Sequence, residues 1–329
     1  MRPFWTPEMT GREMRYLEEA LSFPNEGPLT ERFERALAER IGVRHVICTT
    51  SGTAAILLAL RCLFGADVPV VIPSLTFIAT AHAATLAGLR PILSDVDERG
   101  LLHHSGEVDH PEIPVHISGR HASVGEMAVE DACEAFPKRP EGYAACYSFS
   151  PNKVITTGQG GAVATDDDLL AKRMRRYKDH GRTERGSDDH RSLGFNLRFT
   201  DLQAAVGLAQ LEKLDERLVR MRAIHALYAE HLPVVPFRRD EQPLWTDIIV
   251  DDPDAVAGRV AVAGFVCRRY WKPLHRQPAY APVWSLLPAD ERPFLGAERF
   301  YEHALWLPSH WSLSDEDVFA IICAVQICP

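Results

Sequence analysis

Across residues 1–165, short apolar runs alternate with segments whose polar and apolar positions suit helices. That alternation predicts an α/β domain built on a mostly parallel sheet flanked by helices. Thr10-Gly11-Arg12-Glu13 reads as a capping box that opens an early helix. Thr30 is placed to cap a second helix and Gly42 to close it. Residues 45–48 read as a short buried strand that turns at Thr49-Thr50-Ser51-Gly52-Thr53 into a helix over 54–64, ended by Gly65. The grammar then repeats. A strand over 68–72 turns at Pro73-Ser74-Leu75-Thr76 into a helix over 77–87, stopped by Gly88, and a strand comes next over 91–96. Residues 144–149 and 161–165 read as strands flanking a Gly-rich turn.

Thr200-Asp201-Leu202-Gln203 is a second capping box, predicting one long amphipathic helix to about residue 232. Pro-rich stretches at 233–243 and 273–293 punctuate the rest of the chain, and a last helix over 315–325 starts after Ser314. The expected division is a large domain over 1–230, including the N-terminal helical segment, and a smaller C-terminal α/β domain over 231–329.

Composition narrows the classes. Over 329 residues, 46% are hydrophobic and 25% charged, so a globular chain is expected rather than a disordered one. A net charge of −9 argues against a basic nucleic-acid footprint but leaves room for a local pocket that binds a small anion. No apolar run reaches the roughly 18–20 residues of a membrane span, and residues 1–8 carry no hydrophobic signal core. The seven cysteines (48, 62, 133, 146, 267, 323, 328) form no Cys-x-x-Cys pair, which suits a reduced, cytoplasmic protein.

Three segments can carry chemistry. Ser51-Gly52-Thr53 lies between a strand and a helix, where free N–H groups and the helix dipole can cradle a phosphate; an ordinary N-cap is the alternative. Neither GxxxxGK nor GxGxxG is present. Glu130-Asp131 comes after the apolar Met127-Ala128-Val129 and sets a carboxylate at a strand end, the edge at which open α/β sheets bind ligands. It can hold a protonated ring nitrogen or be a surface carboxylate. Lys153 lies in Ser148-Phe149-Ser150-Pro151-Asn152-Lys153-Val154-Ile155-Thr156-Thr157-Gly158-Gln159-Gly160-Gly161. A lysine held away from water there can be a Schiff-base nucleophile; otherwise it is a solvated loop lysine.

In this order the pieces resemble the DegT/DnrJ/EryC1/StrS family of pyridoxal-phosphate sugar aminotransferases. The resemblance runs from Gly27-Pro28-Leu29-Thr30 to Leu313-Ser314-Asp315-Glu316-Asp317. Between them it rests on Ser51-Gly52-Thr53-Ala54-Ala55, Pro73-Ser74-Leu75-Thr76-Phe77-Ile78-Ala79-Thr80, Glu130-Asp131-Ala132, residues 148–161, and Gly194-Phe195-Asn196-Leu197-Arg198-Phe199-Thr200-Asp201-Leu202-Gln203-Ala204-Ala205. It implies a fold-type I aminotransferase using pyridoxal 5′-phosphate. Lys153 would hold the cofactor as a Schiff base and then shuttle a proton, and Asp131 would pair with the pyridinium nitrogen. Phe77 would stack on the ring. The backbone at Gly52 and Thr53, with the Ser148 hydroxyl, would hold the phosphate, Ser51 would belong to the same cofactor site, and Glu134 would stand near the phenolic oxygen, where Gln or His is usual. Asn196 would reach the phosphate from the other subunit of a homodimer.

The sequence departs from the family pattern after His116, where the usual aromatic and Gln are Ser118 and Arg120. If 112–117 and 126–131 are parallel neighbours, residues 118–125 are too few for a crossover helix. The stretch over 95–116 is also short. Histidines 103, 104, 110, 116 and 121 fit no standard zinc spacing and are expected as solvated loop residues, with no metal. Trp271-Lys272-Pro273-Leu274-His275 and Ala304-Leu305-Trp306-Leu307-Pro308 are expected to line the substrate cleft or form small-domain core, with Lys272 and His275 as substrate-contact candidates.

The reaction expected is transfer of an amino group from glutamate to a keto sugar, a nucleotide-linked 4-keto-6-deoxyhexose, with no nucleic-acid or membrane partner. Asn152-Lys153-Val154-Ile155-Thr156-Thr157-Gly158 leans toward amination at C4. Alternatives are a cofactor-binding or regulatory dimer of the same fold, or action on another keto substrate. A dehydratase is disfavoured because such relatives carry His in place of the lysine.

Overall fold

The computed structural model describes residues 5, 7–102, 110–184, 186–280 and 294–326. Six strands build the main sheet: β1 His45–Thr49, β2 Pro69–Pro73, β3 Arg90–Ser94, β4 Val129–Asp131, β5 Ala144–Ser148 and β6 Gly161–Thr165. β1, β6, β5 and β4 are bonded in that order, and β2 pairs with β3. Residues 112–115 join the two sets through parallel bridges, Val71 to Glu112 on one side and Val115 to Asp131 on the other. Only β6 runs against its neighbours, β1 and β5. The sheet is therefore mostly parallel.

Helices cover both of its faces, and the strands alternate accordingly. Val46 and Cys48 of β1, Ala145 and Tyr147 of β5, and Ala162 and Ala164 of β6 pack with Phe33, Leu37, Phe199, Ala204 and Leu208. The intervening Ile47, Ala144, Cys146 and Val163 pack on the opposite side with Ile56, Leu58, Ala84 and Met174. A period of two, apolar on both faces, is what a doubly covered sheet requires. The first face is lined by α2 Pro28–Ile41 and α6 Asp201–Leu211, the second by α3 Gly52–Leu63, α4 Ala79–Leu86 and α5 Asp168–Lys178.

A second sheet, β7 Thr246–Ile249, β8 Arg268–Arg269 and β9 Ala304–Leu307, is antiparallel in the order β7-β9-β8. α8 Pro253–Val262 and α10 Asp315–Gln326 pack on it, with Ile224 and Tyr228 of α7 Leu214–His231 in the same cluster. α9 Leu295–His303 is tied to the first part, because Asp95 accepts the N–H groups of Gly296 and Ala297 (both 2.9 Å). Among the described residues no helix is long and apolar enough to cross a membrane.

Four local expectations need correction. α1, Glu13–Ala20, starts after Arg12, and the expected box is only half made. Glu13 accepts the Thr10 N–H (2.8 Å) and hydroxyl (3.0 Å), but Thr10 Oγ1 takes the Arg12 N–H instead of closing the box. Thr30 does not cap α2. The helix begins at Pro28 with Gly27 as cap, and Asp201 accepts the N–H groups of Gly27 (2.8 Å), Leu29 (3.1 Å) and Thr30 (2.8 Å) and the Thr30 hydroxyl (2.7 Å). Gly42 does close α2, at φ 81°.

The Thr200–Gln203 capping box forms, but the helix it opens stops at Leu211 and α7 begins at Leu214. Neither Gly nor Pro marks that break. Glu212 there is bonded by the Tyr16 hydroxyl (2.5 Å) and paired with Arg12, so a tertiary contact with α1 overrides the local pattern. Finally, His116 is fully buried rather than solvated. Its Nε2 faces Glu130 (2.9 Å) and its Nδ1 accepts the Ala122 N–H (3.0 Å). His110 is exposed, His121 is partly buried, and His103 and His104 lie outside the described residues. The connection from 112–115 to β4 contains one 3-10 turn, Ile117–Gly119, and no crossover helix.

Candidate functional site

The topology decides where a ligand can sit. β2, 112–115, β4 and β5 end at one edge, and β6, running the other way, begins there: Gly161 is opposite both Ser148 and Thr49. Strand carboxyl ends in an open α/β sheet are where ligands bind. A cavity of about 310 Å³ opens at this edge. Ser51, Gly52, Thr53, Phe77, Asp131, Glu134, Ser148 and Lys153 all line it, together with Thr76, Cys133, Asn152, Arg268 and Trp271.

Asp131 closes β4 and is buried. Its Oδ2 accepts the Thr80 hydroxyl (2.7 Å) and its Oδ1 the Cys133 N–H (3.1 Å), so the carboxylate has a fixed direction. Thr80 is itself bonded to Thr76 (2.9 Å). Lys153 Nζ donates to Glu134 Oε1 at 3.2 Å, and both side chains are largely buried. Burial pushes the Cys133 thiol well above its ordinary value, so it lines the cavity as a neutral group. Phe77 is 52% exposed, an unusual setting for a large ring, and faces Trp271 with centroids 5.9 Å apart.

Ser51 caps α3 by accepting the Ala54 N–H (3.1 Å), so the ordinary N-cap reading holds for its hydroxyl. It does not exclude the cradle, because Gly52 and Thr53 at the start of α3 have no carbonyl in their own helix to bond. A Cβ at Gly52 would lie 2.8 Å from Cys133 Sγ and 2.9 Å from Ser148 Cβ. Glycine lets Ser148 and Cys133 pack directly against the start of α3, beside the dipole's positive end, where an anion is favoured. The Ser148 hydroxyl lies beside that end; it donates to Ser150 Oγ at 3.3 Å and can be turned toward an anion.

A directed carboxylate, a buried lysine, an exposed aromatic ring and a helix N-terminus with open donors fit the ring nitrogen, aldehyde carbon, ring face and phosphate of pyridoxal phosphate. Asn196 is not brought to this cavity within one chain. It is exposed, bridged to Asp179, and accepts from Arg198 Nε (3.0 Å). Lys272 and His275 do not line the cavity. Lys272 is exposed, and His275 is held between Ser74 (2.6 Å) and Glu298 (2.5 Å).

Beside the site, Glu130 was not legible as a buried group. Burial pushes its carboxyl up, but the hydrogen bond with His116 and the Lys138 ammonium (2.6 Å) outweigh this and hold it at about 2. Among the described residues, no three His, Cys, Asp or Glu side chains gather as a metal site. The sequence reading missed Thr80, although it lies in a quoted motif. It also missed Trp245 and Arg268, which nothing in their local sequence marks.

The sheet order and this constellation define a fold-type I aminotransferase dependent on pyridoxal phosphate. The chain belongs to the DegT/DnrJ/EryC1/StrS aminotransferase family, matched over residues 7–326, and is a pyridoxal-phosphate-dependent sugar aminotransferase. It is 30% identical to GDP-perosamine synthase of Caulobacter vibrioides, over 97% of this chain and 96% of that one. It is similar to the structure of DesI, solved in the presence of its TDP-sugar product: 27% identity, TM-score 0.84, covering 98% of this chain and 92% of that one. The sugar aminotransferase CalS13 of Micromonospora echinospora shares the fold with a TM-score of 0.89 at 24% identity, covering 99% of each chain.

Proposed function

We propose that this chain moves an amino group from glutamate to a nucleotide-linked 4-keto-6-deoxyhexose. The observation that carries the reading is the meeting of Lys153, Asp131 and the open N-terminus of α3 in one cavity. The sugar class is supported by the names of the relatives, a GDP-perosamine synthase and an enzyme with a TDP-sugar product. When bound, the cofactor supplies an electron sink for the carbon whose proton moves.

The chain's own residues do the rest. Lys153 holds the cofactor and then takes up and returns a proton at Nζ. Asp131, its oxygens already fixed by Thr80 and Cys133, holds the ring nitrogen in its protonated form. Phe77 covers a ring face, and the Gly52 and Thr53 N–H groups with the Ser148 hydroxyl take the phosphate. In a homodimer, Asn196 reaches the phosphate of the neighbouring subunit's site, in keeping with its exposure here.

The test is an absorption spectrum of purified protein with pyridoxal phosphate and then excess glutamate, on wild type and Lys153→Ala. A lysine-dependent band that glutamate converts to the pyridoxamine form is expected, followed by aminosugar formation from a panel of nucleotide keto sugars. A band indifferent to glutamate would overturn the donor. Failure of every keto sugar would overturn the acceptor. Asn196→Ala is expected to weaken cofactor retention, and a monomer by light scattering with an intact site would sink the dimer.

A further inference from the structure

The carboxylate beside Lys153 is gripped from its far side by residues that the proposed chemistry does not touch. Glu134 Oε1, besides taking the lysine, accepts the indole N–H of Trp245 (3.2 Å), and Oε2 accepts the Ser118 N–H (2.9 Å). A glutamate side chain left to itself samples many rotamers. Two donors from separate parts of the chain remove that freedom.

Ser118 is held in turn. It adopts φ 57°, and the next residue, Gly119, has φ 95° and a position where a Cβ would lie 1.9 Å from the Gln242 carbonyl oxygen. The turn therefore docks closely on the chain entering β7, and the Ser118 carbonyl accepts the Leu244 N–H (2.8 Å). Ser118 Oγ donates to Asp247 (3.1 Å) and accepts from Trp306 Nε1 (2.9 Å). Asp247 pairs with Arg120, both sealed from solvent, and Arg120 also bonds the Arg99 carbonyl (2.9 Å) and the Tyr270 hydroxyl (3.1 Å). One polar chain thus runs from the second sheet to the lysine. Burying an ion pair brings little net stability, and directing its neighbours is one use for it.

We propose that Trp245 and Ser118, braced by the Arg120–Asp247 pair, are positioning residues that fix the Glu134 carboxylate against Lys153. The second sheet thereby sets the electrostatic surroundings of the lysine. The other charged groups sharing that cavity are Asp131 and Arg268. The inference rests on Lys153 holding the cofactor, and its test needs neither donor nor acceptor.

The measurement is a pH titration of the lysine-bound cofactor's absorption in the holoenzyme. It covers wild type, Trp245→Phe, Glu134→Gln and the double variant, with each melting temperature recorded. Glu134→Gln removes a negative charge beside the lysine nitrogen and is expected to lower the midpoint by about one pH unit. Trp245→Phe is expected to lower it in the same direction. The double variant should match Glu134→Gln alone, because a positioning residue has nothing left to position. A Trp245→Phe midpoint equal to wild type, or shifts that add in the double variant, would overturn the proposal. If Trp245→Phe does not fold, Ser118→Ala enters the same cycle under the same criteria. Absence of a lysine-dependent band in wild type would instead overturn the reading of Lys153.

Discussion

The cavity floor and the joint above it are built by opposite rules. On the floor, the central groups stand at the end of a strand or the start of a helix: Asp131, Ser148 and Gly52 occupy such ends, and the Lys153 loop comes directly after β5. Short segments specify it, and the sheet brings those segments together. At the joint, Ser118, Trp245, Asp247 and Trp306 lie up to 188 residues apart and meet only when the second sheet is docked. A floor of local motifs tolerates trimming of the loops between them. The missing crossover helix is an instance, since 112–115 and β4 still lie side by side. A joint made of distant pairs has no such slack.

The comparison can be broken from either side. Lys153→Ala should abolish the floor's chemistry, lowering kcat by on the order of 10³-fold or more, while lowering the urea midpoint less than the next change does, because Glu134 keeps its Trp245 and Ser118 donors. Arg120→Met should do the reverse. It leaves Asp247 buried without its cation, a loss of about 3–5 kcal/mol in unfolding free energy, and Asp247→Leu in the same chain should recover much of it. If Arg120→Met proves neutral, the joint is more forgiving than the floor.

Acid sharpens the contrast. Glu130 is held at about 2 against an ordinary 4.5. A carboxyl lowered in the fold stabilises it fully above the unfolded value and loses that stabilisation as pH falls through the folded one. The gap, at about 1.4 kcal/mol per pH unit, amounts to about 3 kcal/mol, lost between about 4.5 and 2. His116, lowered by burial against its Glu130 partner, adds a loss that begins nearer its ordinary 6.5. Urea midpoints across that range should fall in both steps, and Glu130→Gln should flatten the lower one.

Gly52→Ala is expected to cost about 1–3 kcal/mol through crowding and to weaken cofactor retention more than it lowers the melting temperature. Lys213→Ala, which breaks an exposed pair with Glu216, should stay within about 0.5 kcal/mol by denaturant titration.

The same division explains what could be read beforehand. The strand over 161–165, the 200–203 capping box and the placing of Ser51-Gly52-Thr53, Asp131 and Lys153 at strand ends and helix starts were legible, because such positions have local signatures. The break before Leu214 was not, since Tyr16 and Arg12 impose it from α1. Nor was the burial of His116, which depends on Glu130 and on the Ala122 backbone. Trp245 reads as one more apolar residue until its indole meets Glu134.

The long-range cap on α2 has a consequence for synthesis. The donors of its first turn, Gly27, Leu29 and Thr30, are satisfied by a residue 171–174 positions later. A nascent chain therefore carries that turn unfinished until Asp201 has left the ribosome. The helix can wind from its Gly42 end, but its first turn stays frayed and open to solvent. Completion of an earlier segment of the chain waits on a later one.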